Sequence, residues 1–105
     1  MDLVSTANHT KWEDLRRAMH DLPFATRFRC QDLSGHYSRP DGEWFYHFRD
    51  GGYETMRFVD IHTDTDEQRG AVLSELKRVR LAGHPIDGGF RVYGYAEPGQ
   101  VLDYF

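Results

Sequence analysis

The chain has 105 residues and a formal net charge of −4, from 17 acidic and 13 basic side chains; 39% of it is hydrophobic and 14% aromatic. That length and apolar content make a single domain over residues 1–105, burying roughly two-thirds of its unfolded surface, and they exclude disorder. The acidity disfavours generic binding to nucleic acid or anionic membranes, and no apolar run approaches the ~20 residues of a membrane span.

Cys30 is the one cysteine, so an intrachain disulfide is impossible. A lone thiol fits a reducing compartment. The opening residues MDLVSTANHT lack a basic and then apolar signal-peptide pattern. A cytoplasmic location is therefore expected.

The first helix starts at Thr10, whose capping box with Glu13 would satisfy free amides. Trp12, Leu15, Met19 and Leu22 follow as one apolar stripe. Pro23 ends the helix, because the residue before proline is pushed out of the α region. Residues 24–34 read as the first strand. Phe24, Phe28 and Cys30 lie on its apolar side, and Arg27, Arg29 and Gln31 on its wet side. Arg39-Pro40-Asp41-Gly42 signals a turn.

Glu43–His62 reads as a hairpin about Gly51-Gly52, the densest β-prone stretch in the chain. In that register Phe45 faces Phe58, His47 faces Met56 and Glu43 faces Asp60. Thr65 and Gln68 then box the start of a second helix, with Val72, Leu76, Val79 and Arg80 inward. Gly83 is its expected left-handed terminator and Pro85 bars continuation. His84–Gly89 turns the chain into a last strand, Phe90–Ala96. The tail Val101–Phe105 either adds an edge strand or packs its rings down.

The expected fold is α+β, in the order α-β-β-β-α-β. A single-layer mixed sheet of about four strands would carry both helices on one face. A parallel pairing of the third and fourth strands would need a right-handed crossover.

Two groups of residues could carry chemistry. Asp60 and His62 share one side of a strand, with Asp64 just beyond, a pairing of imidazole and carboxylate that suits zinc or iron. The other histidines show no ligand spacing, so no metal or cofactor is expected. The competing reading puts Asp60 and His62 on a solvated face and gives Asp64 to the helix cap. His47 with Asp60 could form an acid–base pair only after a register shift. The second group is the sheet face away from the helices, Phe45, His47, Phe58, Asp60, His62, Arg91, Tyr93 and Tyr95. Aromatics and arginine mixed with few acids suit an interface. Loops or the tail could equally cover those rings.

Lys11-Trp12, Leu15-Arg16, Met19, Leu22-Pro23-Phe24, Trp44-x-Tyr46-x-Phe48, Asp60-Ile61 and Arg91-Val92-Tyr93-Gly94-Tyr95 resemble a family of small bacterial cytosolic proteins of unknown function. The resemblance covers most of residues 10–96, and its motifs are structural, so it implies no active site. Size, acidity and the aromatic face also resemble the immunity proteins of bacterial toxin systems. The expected function is a non-enzymatic protein-binding module, with an inhibitor of a basic toxin domain as its most concrete form. The alternative is a small enzyme or metal-binding domain centred on Asp60, His62 and His47. Partner identity and oligomeric state are not legible.

Overall fold

The computed structural model describes residues 3–44, 47–48 and 52–105. Helix α1 spans His9–Asp21 and α2 spans Asp66–Val79. The main sheet holds β2 (Arg27–Asp32), β3 (Met56–His62), β4 (Gly83–Ile86) and β5 (Gly89–Tyr93), in the order β2-β3-β5-β4. Two short strands, β1 (Val4–Ser5) and β6 (Tyr95–Ala96), pair separately. The fold class is α+β, as expected. Among the described residues every strand pairing is antiparallel. The expected parallel pairing across α2 does not form: α2 carries the chain from β3 to β4, which runs in the same direction, and β5 then inserts between them, antiparallel to both.

The helices follow local rules. Asn8, not Thr10, caps α1: its side chain accepts from the Lys11 amide at 2.8 Å. The helix therefore starts earlier than the capping box suggests, and it stops just before Pro23. Thr65 caps α2 by accepting from Gln68, while the Gln68 side chain accepts from the Asp64 amide. Helix α2 ends on Arg80, in the left-handed region at φ 62°, rather than at Gly83. Lys11 reaches across from α1 to donate to the Arg80 carbonyl at 2.8 Å. This holds the helix end in place, and Arg80 is exposed there instead of facing inward.

Both helices cover one side of the sheet. Trp12, Leu15 and Met19 of α1 join Val72, Leu76 and Val79 of α2 over Val59, Ile61, Phe90 and Val92 in one core. Alternation along β3 and β5 produces this face. Gly94 separates β5 from β6 because no side chain fits there. A Cβ at Gly94 would lie 2.3 Å from the Met56 carbonyl and 2.9 Å from the Trp12 ring.

The expected hairpin does not form across the described residues. The described residues of its outgoing arm are in no strand: Trp44, His47 and Phe48 lie in turns. Trp44 and Phe48 instead close the end of the core around Phe28, with ring centroids 4.4 and 5.2 Å from it. The Trp44 indole donates to the Thr26 carbonyl and hydroxyl, both at 3.0 Å. Burying these large rings satisfies them better than a ladder position half open to water. β3 takes β2 as its neighbour, pairing Arg29 with Asp60 and Gln31 with Phe58. Phe45, Tyr46 and Gly51 lie outside the described residues. The tail both pairs and packs: Tyr104 bridges Ala82, and Phe105 meets Phe90 edge-on at 5.7 Å.

Candidate binding face

Antiparallel register brings side chains from four strands together on the side away from the helices. Arg29, Asp60, Arg91 and His84 stand in one row across β2, β3, β5 and β4. Gln31, Phe58 and Tyr93 form the next row, and Arg27, His62 and Gly89 the row beyond. Direct neighbours in such rows have Cβ atoms about 5 Å apart, close enough for side chains to bond.

Asp60 is the centre. It is only 3% exposed, so its charge needs compensation. Arg91 supplies this through Nε and a terminal nitrogen, at 2.8 and 3.0 Å, a two-pronged grip on the carboxylate. The Tyr37 hydroxyl donates to the same carboxylate. This bond raises the Tyr37 pKa above its ordinary value, after burial, which contributes more. The bond to Asp60 likewise raises Arg91, against the opposing effect of burial.

Rings and guanidinium groups stack around this centre. Arg91 lies 4.0 Å over the Phe58 ring and Arg29 lies 4.0 Å over Tyr37. Tyr37 and Tyr93 meet Phe58 edge-on, at 5.8 and 6.1 Å. The Tyr93 hydroxyl is 3.1 Å from His84 Nε2. Arg29 Nε donates to the Ser38 carbonyl at 3.0 Å. These contacts hold long side chains in fixed positions on a rigid sheet.

The expected site residues divide. Phe58, Asp60, Arg91 and Tyr93 come together, and His62 sits one row away. The Nε2 of His62 is buried without a hydrogen-bond partner. Asp60 is not solvated but paired. His47 stands apart from the cluster: its Nδ1 lies 2.8 Å from Asp41, whose backbone bridges Phe28. Tyr95 belongs to β6 and donates to the Glu54 carbonyl at 2.5 Å. Phe45 falls outside the described residues. The triad Asp60, His62 and His47 therefore does not converge. Among the described residues, no group of three or more His, Cys, Asp and Glu side chains could hold a metal ion.

Arg29, Tyr37 and His84 are members that sequence reasoning missed. Alternation already set Arg29 opposite Cys30, so the correct β2–β3 pairing would have found it. Tyr37 comes from a loop, and no local pattern marks its reach to Asp60. A separate cleft of about 360 Å³ opens beside β2, lined by Phe28, Cys30, His36, Ser38, Asp41 and His47.

An α+β domain with a four-stranded antiparallel sheet, helices on one side and an arginine–aromatic cluster on the other defines the structural class. Within it, the chain belongs to the DUF6678 family, a family of unknown function whose model matches residues 1–99. No curated protein and no solved structure matches the chain. No helix among the described residues is long and apolar enough to cross a membrane.

Proposed function

We propose that the chain is a protein-binding module whose contact surface is the sheet face around Asp60. One observation carries this reading. Arg29, Tyr37, Phe58, Arg91 and Tyr93 are held by mutual stacking and by Asp60 on the side that neither helix covers. Tyrosine and arginine anchors dominate the energetics of protein interfaces. Anchors already fixed lose little conformational freedom on binding. The most concrete form of the module is an immunity-type inhibitor of a bacterial toxin, acting by surface complementarity without chemistry of its own.

The test is affinity capture from the native host with the full chain as bait, followed by calorimetry on the recovered partner. Tyr93→Ala and Arg29→Ala are expected to weaken the complex by more than ~1 kcal/mol each while the thermal midpoint barely moves. Full affinity in the double variant removes this face from the function. For the inhibitor form, co-expression should relieve the growth arrest caused by the captured partner. No relief would leave binding without immunity.

A further inference from the structure

The charge on this face opposes the charge of the whole. The chain carries −4, yet the three rows hold Arg27, Arg29 and Arg91 against one carboxylate, Asp60. Arg91 is already committed to that carboxylate. Arg27 is exposed and makes no ion pair among the described residues. Arg29 uses Nε on Ser38 and rests its plane on Tyr37. Its terminal nitrogens have no acceptor among the described residues. The nearby acids are engaged or set aside: Asp32, at the end of β2, accepts from Ser34 and His36, Asp41 beside Phe28 pairs with His47, and Asp64 and Asp87 lie past the ends of β3 and β4.

We infer that the segment received here is an acidic, extended stretch of a partner protein, its carboxylates meeting Arg27 and Arg29. The inference rests on the reading of this face as a protein-binding surface. A guanidinium with one plane on a ring still offers its edge, whose paired N–H groups match a carboxylate. Arg27 and Arg29 are two residues apart on one strand, so their Cα atoms are roughly 7 Å apart. Side chains at alternate positions of an extended peptide have that same spacing. The exposed Arg27 and the open terminal nitrogens of Arg29 suit a short acidic segment. A nucleic acid presents a continuous polyanion, which a chain of net negative charge repels outside this small patch.

The full chain, labelled with ¹⁵N, is titrated with a Glu-Gly-Glu-Gly-Glu peptide, the matching lysine peptide and a short DNA duplex. The glutamate peptide is expected to shift the amides of Arg27, Arg29, Asp60 and Tyr93. The double substitution Arg27→Gln with Arg29→Gln should weaken it about fivefold or more, and raising salt should weaken it too. Equal shifts at Lys77 and Arg78, the basic end of α2, would overturn the inference. So would preference for the lysine peptide, or a duplex bound at least as tightly. Failure here is separable from failure of the binding reading. If Tyr93→Ala abolishes partner capture while the glutamate peptide leaves the face unperturbed, the face binds protein but not through acids. If Tyr93→Ala leaves capture intact, the face reading itself falls.

Discussion

Asp60 and Arg91 face each other across β3 and β5, and Arg91 grips the buried carboxylate with two nitrogens at 2.8 and 3.0 Å. The arginine side chain is 30% exposed and the aspartate side chain 4%. The pair is thus half structural and half surface.

Removing Arg91 alone strands a buried charge, so Arg91→Ala is expected to cost ~2–4 kcal/mol of stability. Arg91 is therefore a poor probe of binding, whatever its place on the face. Replacing both partners by apolar side chains, Asp60→Leu with Arg91→Met, should cost less than either single change. Urea midpoints of the three variants measure this. Equal or greater loss in the double variant would show that the pair itself is net stabilising.

Trp12 is 2% exposed and packs against Phe48 and Tyr53, with centroids 6.0 and 6.2 Å away. It joins α1 to the turn that closes the core. Trp12→Ala is expected to cost ~3–5 kcal/mol, as for other large buried aromatics. An unchanged denaturant midpoint would remove α1 from the core.

Gly83 and Gly70 make an opposed pair. A Cβ at Gly83 would lie 2.0 Å from the Arg91 carbonyl and 2.7 Å from the Phe105 ring, while one at Gly70 would meet nothing within 4 Å. Gly83→Ala should force β4 off β5 and cost ~1–3 kcal/mol or more. Gly70→Ala, inside α2, should stabilise by ~0.5–1 kcal/mol through helix propensity. Thermal melts of both read the contrast directly, and a gain at Gly83 would contradict the register of β4.

Cys30 should be inert when folded. Burial first, and then the charges of Asp60 and Asp41, push its thiol from 9.0 up to about 12. Between those values the unfolded chain has lost this proton and the folded chain keeps it. Its contribution to stability is therefore complete below pH 9 and is lost as pH rises towards 12, by up to ~1.4 kcal/mol per pH unit. The curve of stability against pH should be flatter over this window in Cys30→Ala than in the parent, a difference that cancels the tyrosines common to both. Alkylation at neutral pH should be much faster in denaturant than in buffer. Equal rates would show that the thiol is open to solvent.

The sequence by itself determined the features that depend on near neighbours. The helices were legible because Thr65 with Gln68, Pro23 and the 3–4 spacing of Trp12, Leu15 and Met19 act within a turn or two of chain. The two faces of β3 and β5 were legible because alternation is a property of a single strand. Only the tertiary structure decided which strands meet. Both β2 and the stretch around Trp44 had the composition to flank β3, and pairing compares segments distant in sequence. The choice fell to β2 because Trp44 and Phe48 bury more ring surface closing the core around Phe28 than a ladder position would allow. That one decision placed Arg29 beside Asp60, took His47 to Asp41, and let Tyr37 reach over Phe58. The heart of the candidate face is a product of contacts that no local spacing encodes.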